Sequence, residues 1–518
     1  MEHHGETRVP AYHLLTTWAF DDWTDEARER IAVELANAGV VTDPEVGALG
    51  DGSEVTLALG RVPPTDTGVE ATADRGVSPS VTRAVWALAI PILFAEVGEA
   101  LTYATDTAFL GRVGTRELAA IGLSYSFIEL LAVPALGAVE GMQIVVARRV
   151  GEDRRDAIGP TFARVLLLVT AVTLALSAGL TLGAPAAAPL VIGSRELAAA
   201  VADFLQIAAF GLVPMTMSFA FSSLFVALGR PRVLIGATLV LVLTNLAGSY
   251  VLVLGELGAP RLGIQGAAYA FLAAELATLL YLVIHAVRRL DLRSLGGLAL
   301  GRVPAPVFGP LLRLSAPMVL LFFVLEGQWL AFFLIVERVG PDELASSSVV
   351  YACVAVLVIP ALAFGETAYT LVSKLIGRGR SDEIGSLMRR VVLLAYLVTA
   401  PLLVITLALP DVALSVFTSD PSSVPGARAT LQVAAVALLV VIPAQSWLGA
   451  LVGTGDTDIA LLIELVSTAV LLASAALIGL QLNLELPYIW LSLLAGAVVT
   501  LLAAYLFVRG GRWRRANV

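Results

Sequence analysis

The sequence predicts an all-α polytopic membrane protein. Twelve transmembrane helices form two six-helix lobes related by a pseudo-two-fold axis along the membrane normal. A small soluble N-terminal segment, α/β or partly disordered, precedes them. Three observations predict this. First, 58% of the 518 residues are hydrophobic and only 14% are charged, with a mean hydropathy of +0.86, too apolar for a water-soluble globule. Second, beyond about residue 84 the chain is a series of apolar runs of roughly 20 residues or more, each long enough to cross a bilayer as a helix. Third, the chain repeats itself. Residues 133–159, VPALGAVEGMQIVVARRVGEDRRDAIG, align without a gap with residues 359–385, IPALAFGETAYTLVSKLIGRGRSDEIG, at a shift of 226 and with 10 of 27 positions identical.

Residues 1–80 stand apart from the rest. They hold 15 acids against 5 arginines, a local charge of −10 in a chain whose net charge is −9. No apolar run follows a basic start, so no signal peptide is expected. The stretch YHLLTTWAF reads as a strand and SEVTLALG as a second one. Between them, DDWTDEARERIAVELANAGV reads as a helix, with Thr24 as its N-cap, acids in its first turn and Gly39 near its end. A Pro/Thr/Asp/Gly linker at about 61–80 follows. A partly disordered acidic tail explains the same composition. His3 and His4 have no partner ligand pattern.

The spans are expected at about 84–110, 119–147, 160–182, 197–228, 233–255, 264–287, 310–337, 343–374, 388–409, 426–452, 457–480 and 487–508. None alternates apolar with polar residues, and barrel strands would be about half as long. Basic residues fix the expected orientation. Loops after even-numbered spans, with the C-terminal tail, carry 20 Lys and Arg, whereas loops after odd-numbered spans carry 6. The positive-inside rule then places both termini in the cytoplasm of a cell-membrane, multi-pass protein. The turn GTGDTD (453–458), with two Asp and no base, fits that bias least well.

The repeat extends well beyond the opening stretch. Pro91 matches Pro317, Arg112-Val113-Gly114 matches Arg338-Val339-Gly340, Tyr125 matches Tyr351, and Gly229 matches Gly455. Six spans per half make both halves enter from the same side, as parallel repeats do. Two such bundles enclose a cleft that rocking exposes to alternate sides. The domain boundaries expected are 1–80 for the acidic segment and linker, 81–300 for the N-lobe with the inter-lobe loop, and 301–518 for the C-lobe with its basic tail.

Acids lie inside the apolar runs: Glu96, Glu99, Asp106, Glu129, Glu140, Glu275, Glu326, Glu366 and Glu464. A carboxylate at a helix centre costs about 2.5–3.5 kcal/mol on insertion scales, and bases are nearly absent at those depths. At about 100° per residue, Glu96, Glu99, Tyr103 and Asp106 fall on one stripe. Glu129, Glu140 and Gln143 share a face, because 11 residues make about three turns. Such stripes belong in a wet cavity, where the carboxyls are candidates for proton exchange and favour cations. Blander roles fit some of them. Glu129 and Glu464 also suit hydrogen bonds to neighbouring helices, Glu140 and Glu366 also suit snorkelling toward Arg148 or Lys374 or passive lining of the inner vestibule, and Glu96 also suits helix packing. Pro134, Pro214, Pro360 and Pro443 fall inside spans, where they free carbonyls and allow kinks. Trp329, Trp447, Phe219 and Phe221 offer faces for an aromatic cation or for core packing. His285 stands alone and Cys353 is the single cysteine. No metal cluster, cofactor or enzymatic dyad is therefore expected.

The segment IPILFAEVGEALTYATDTAFLGRVGTRELAAIGL resembles the first helix and following loop of MATE (multidrug and toxic compound extrusion) transporters of the MOP superfamily. ALGRPR followed by LTNLAGSYVLVLGELGAPRLGIQGAAYA resembles that family's fourth loop, fifth helix and sixth-helix start. The resemblance runs over roughly 84–508. It implies a V-shaped twelve-helix fold and antiport of organic, often cationic, small molecules against H+ or Na+. It also implies that Asp106 and Asn245 take part in coupling-ion binding, with Na+ as one candidate, and that Glu326 is the seventh-helix Glu of many members. Two family positions differ. Ser249 stands where an Asp is usual, and Phe271 where a Thr is usual. Glu99 and Glu275 are the candidates to replace that charge. For the substrate cavity the candidates are Tyr103, Glu129, Glu140, Gln143, Trp329, Glu366 and Gln445. A monomer in the bilayer is expected, with no nucleic-acid partner. The competing readings are a lipid-linked saccharide flippase of the same superfamily, which would want a basic cavity, and a membrane receptor.

Overall fold

The computed structural model describes residues 7–10, 40–43, 54–59, 79–192, 194–291, 294–295, 308–417 and 426–511. The chain divides into two units, Met1–Gly76 and Val77–Val518. In the first, β1 (Thr7–Pro10), β2 (Val40–Asp43) and β3 (Glu54–Leu59) form an antiparallel sheet in the order β1-β3-β2. Thr7 pairs with Leu57, and Val40 with Leu59. The strand expected at SEVTLALG is β3. Val40, the last residue of the expected helix, begins β2 instead. The rest of that helix and the stretch YHLLTTWAF lie outside the described residues.

Twelve long helices make up the described part of the second unit. In the first half they are α1 (Pro79–Val113), α2 (Thr115–Gly151), α3 (Ile158–Val191), α4 (Arg195–Ala227), α5 (Arg232–Leu254) and α6 (Ile264–Arg289). The second half has α7 (Phe308–Val339), α8 (Pro341–Gly377), α9 (Ile384–Ala408), α10 (Ala427–Thr454), α11 (Thr457–Ala476) and α12 (Leu486–Gly510). A π-helical turn, Leu477–Gln481, extends α11. All twelve contain spans long and apolar enough to cross a membrane. Helices are the necessary choice there, because a backbone in hydrocarbon must satisfy every N–H and C=O internally. Expected and observed spans agree in number and order. The observed helices are mostly longer, since flanking polar residues continue the turns into the interfaces.

Sequence punctuation sets several ends. Ser194 caps α4 by accepting a hydrogen bond from the Leu197 amide. Pro341 and Pro487 stand in the first turns of α8 and α12, where a missing N–H costs nothing. The turn GTGDTD is short. Gly455 takes φ +93° directly after α10, and its counterpart Gly229 takes φ +77° after α4, a left-handed geometry that side chains resist.

The helix contacts repeat across the halves. In the N-lobe α2 packs on α4, α4 on α6, α5 on α6, α1 on α5 and α3 on α4. In the C-lobe the equivalent pairs, α8–α10, α10–α12, α11–α12, α7–α11 and α9–α10, make the same contacts. Between lobes, α1 meets α8 and α7 meets α2, while α2 meets α8 on the axis itself. Exchanging the halves maps this set onto itself, which is the expected pseudo-two-fold.

The axis is marked by a glycine pair. Gly151 of α2 lies against the Lys374 carbonyl of α8, and Gly377 of α8 lies against the Arg148 carbonyl of α2. These residues are also related by the shift of 226. A side chain at either would meet backbone rather than a yielding rotamer. Further along the seam, Gly137 and Gly141 of α2 admit Val319 and Ser315 of α7, Trp86 sits edge-on to Phe364 with centroids 6.0 Å apart, and the Ser373 hydroxyl donates to the Ile144 carbonyl at 2.8 Å. Outward-facing leucines and valines, such as Leu182 at 82% and Leu190 at 86% exposure, cover the surface offered to lipid.

Gly377→Val is expected to cost about 1–3 kcal/mol through overpacking and to lower the melting temperature in detergent. Gly385→Ala, where a methyl enters open space, should leave it within about 0.5 kcal/mol of the parent.

Candidate functional site

Three polar centres and one aromatic cluster are the candidate sites, and each is built by residues from more than one helix. The first is in the N-lobe. Asp106 of α1 is fully buried. Its Oδ1 accepts from the Ser249 hydroxyl of α5 at 2.7 Å. Its Oδ2 accepts from the Tyr125 hydroxyl of α2 at 2.7 Å and from Asn245 Nδ2 at 3.3 Å. Ser249 and Asn245 are one turn apart, so a single face of α5 supplies both donors. Asn245 Oδ1 remains buried without a hydrogen-bond partner. Tyr125 is held by edge contacts to Tyr103 and Phe271. Phe271 therefore serves as a wall of this node. Ser249, which departs from the family pattern in sequence, binds Asp106 directly.

The second centre is a small cavity of about 60 Å³ in the same lobe. Glu99 of α1 and Glu275 of α6 line it with Ser218 and Ser222 of α4, Thr238 of α5 and Thr278 of α6. Glu275 is buried, and the Ser218 hydroxyl is buried with no partner. Thr278 donates to the Ala274 carbonyl, which leaves its lone pairs directed elsewhere. This cavity does not include Asp106. The expected coupling-ion set thus separates into two places, Asp106 with Asn245, and Glu99 with Glu275.

The third lies at the seam between lobes and is larger, about 250 Å³. Glu96 and Glu99 of α1, Glu140 and Gln143 of α2, and Glu366 and Tyr369 of α8 line it. Gln143 Nε2 donates to Glu366 Oε1 at 2.9 Å and to the Thr370 hydroxyl at 3.0 Å. Pairing of Glu140 and Glu366 with Arg148 and Lys374 is not what the structure shows. Arg148 donates to the Thr454 carbonyl at 2.6 Å, and Lys374 Nζ lies beside Gly229. Among the described residues the observed ion pairs lie in loops and at helix ends, such as Arg155–Asp153 and Arg380–Glu383.

The fourth is in the C-lobe, where the repeat has changed character. The position matching Asp106 is Phe332, which is buried. Trp329 packs on Tyr351, Phe332 and Trp490 at 4.7, 5.9 and 6.1 Å, an aromatic cluster where the N-lobe has a hydrogen-bonded node. Glu326 is exposed at its edge and lies within electrostatic reach of Glu129 and Tyr351. Of the expected cavity residues, Glu140, Gln143 and Glu366 come together at the seam. Tyr103, Glu129 and Trp329 stand apart from it, and Gln445 lies on α10 with its backbone against Gly365. Glu464 accepts from the Thr500 hydroxyl at 3.0 Å, the interhelical role weighed for it. Among the described residues no group of three or more His, Cys, Asp or Glu is placed to hold a metal ion. Sequence reasoning missed Tyr125, Ser218, Thr238, Thr278 and Tyr369. Hydroxyls in apolar runs carry little signal, because a Ser or Thr there readily bonds a carbonyl of its own helix, as Thr278 does.

Residues 91–251 and 315–478, one stretch in each lobe, match the MatE family. The chain belongs to the MatE family. As a MatE protein it is a multi-pass member of a multidrug efflux transporter family. It is 26% identical over 436 residues to the probable multidrug resistance protein NorM of Brucella suis biovar 1 (strain 1330), covering 82% of this chain and 91% of that one. Over 451 residues it is 23% identical to the NorM of Thermotoga maritima, covering 85% and 95%. Among solved structures it resembles a MOP superfamily transporter from Pyrococcus furiosus with a TM-score of 0.78 at 15% identity, over 84% of this chain and 97% of that one. A multidrug resistance MATE family transporter in an outward-facing conformation superposes with a TM-score of 0.75 at 16% identity, over 83% and 95%. These superpositions establish a shared MatE fold.

Ser249→Ala leaves one Asp106 oxygen without its donor. The expected cost is about 1–3 kcal/mol, read as a lower melting temperature in detergent, with Ser249→Thr retaining most of the stability.

Proposed function

We propose that the protein is a cation-coupled antiporter that exports small organic cations by alternating access. The observation that carries this reading is the acid-lined cavity at the seam, which has no basic residue on its walls. Helices of both lobes supply those acids, so rocking one lobe against the other changes the cavity's access and its charge environment together. A cation neutralises carboxylates that are otherwise costly at membrane depth. The probable multidrug resistance proteins that the chain resembles support the efflux direction.

Asp106 with Asn245, and Glu99 with Glu275, are the proposed coupling sites in the N-lobe, with Glu326 as the C-lobe candidate. H+ and Na+ are both chemically competent there. Protons exchange at the carboxyls, and sodium takes oxygen ligands of the kind that line the smaller cavity. Glu140, Gln143 and Glu366 form the inner part of the substrate path, and Tyr103, Glu129 and Trp329 the outer part. Residues 81–300 and 301–518 are the proposed lobes with their loop and tail, and 1–80 an accessory segment. The basic-residue bias supports cytoplasmic termini, and a monomer holds all the proposed sites. An anionic lipid-linked saccharide would be repelled by this lining.

Transport of a fluorescent cationic dye in proteoliposomes, with pH and sodium gradients imposed separately, tests the proposal. One of the gradients is expected to drive efflux. Asp106→Asn or Glu326→Gln is expected to abolish gradient-driven efflux in protein that still elutes as a folded species. Normal pumping by both variants would remove these site assignments.

A further inference from the structure

The seam cavity is lined by more carboxyls than one monovalent cation can pair with. Glu366 lies within electrostatic reach of Glu96, Glu99 and Glu140, so four carboxyls from both lobes surround one volume. The nearest bases in sequence are not on its walls: Arg148 donates to the Thr454 carbonyl and Lys374 Nζ lies beside Gly229. One ammonium group placed here would pair with one or two of these carboxyls and leave the others without a partner.

Gln143 adds an independent requirement. It is fully buried and lines the cavity. Its amide nitrogen is spent on Glu366 and Thr370, and this fixes the amide's orientation. Its carbonyl oxygen is left buried without a donor. A buried acceptor without a donor costs about 1–3 kcal/mol, and a ligand bearing N–H groups removes that cost. A bare metal ion satisfies the charge but makes no use of the apolar wall. That wall includes Leu136, Val139, Phe219 and Phe322. It suits methylene groups joining one charged end to another. Glu96 and Glu99 are three residues apart on α1, about 5–6 Å by helix geometry, a separation that neighbouring ammonium groups on a short alkyl chain match.

We infer that this cavity binds an aliphatic di- or polyammonium ion, whose ammonium groups are shared among Glu96, Glu99, Glu140 and Glu366 while one N–H is given to Gln143 Oε1. The inference rests on the cation-export reading and narrows its substrate class. It assigns ammonium groups to the seam, whereas a flat aromatic cation finds its better surface at the C-lobe cluster around Trp329.

The test compares butylamine, diaminobutane and spermidine at constant ionic strength, at a pH where all are charged. Binding is read from the thermal stability of the full chain in detergent, and competition from dye efflux in proteoliposomes. Diaminobutane and spermidine are expected to act at concentrations lower than butylamine by about tenfold or more. Glu140→Gln and Glu366→Gln keep the side-chain shape. Each should raise the diaminobutane concentration needed by about tenfold while moving butylamine by less than about threefold. Equal potency of the diamine and butylamine would overturn the inference, as would variants that bind diaminobutane like the parent. Either result alongside intact gradient-driven dye efflux leaves the export reading standing. Absence of any efflux removes that reading, and the amine binding measured in detergent still decides this one.

Discussion

Carboxyls without counter-ions, set in helices that cross a membrane, are the constraint on which the rest of the structure depends. Such groups cannot face lipid without a penalty of several kcal/mol each, and Arg148, the base nearest Glu140 in sequence, bonds the Thr454 carbonyl instead. The remaining solution is an interior that water and cations can reach. Two bundles meeting along a seam supply it. Glycines at the axis let α2 and α8 cross closely, and the stripe carrying Glu96, Glu99 and Asp106 faces protein and cavity.

Duplication supplied the frame, and divergence supplied the chemistry. The helix contacts keep the two-fold, but the residues on it do not. Asp106 corresponds to Phe332, Glu96 to Phe322, Glu99 to Leu325 and Gln143 to Tyr369. Of the acids inside the apolar runs, only Glu140 and Glu366 match each other across the halves, and these two meet at the seam. An exactly symmetric cavity would hold equivalent sites in each lobe. The observed one concentrates charge on the N-lobe side and aromatic surface in the C-lobe. The two lobes therefore offer different side-chain chemistry within one fold.

The Asp106 node shows how tertiary packing changes the meaning of a substitution. Read along the chain, Ser249 and Phe271 look like lost ligands. In the fold, Ser249 donates to Asp106 and Phe271 buttresses Tyr125. The carboxylate is satisfied by three donors from two helices, and Glu99 and Glu275 place further charge in a separate cavity of the same lobe.

What the sequence determined by itself was the set of elements. Run length, apolar composition and the 226-residue shift are local or periodic properties, and they specify twelve helices, two lobes and which faces are polar. Helix geometry then links residues on one element, as it did for the α1 stripe and for Glu140 with Gln143. What only the tertiary structure decided was which stripes share a cavity. That depends on helix crossings, where a buried amide such as Gln143 finds Glu366 on another helix 223 positions away. Glu129, on the same face of α2 as Glu140, ends outside the cavity, because α2 runs through two environments along its length. Hydroxyls such as Ser218, buried here without a hydrogen-bond partner, gain meaning only when neighbouring helices enclose them.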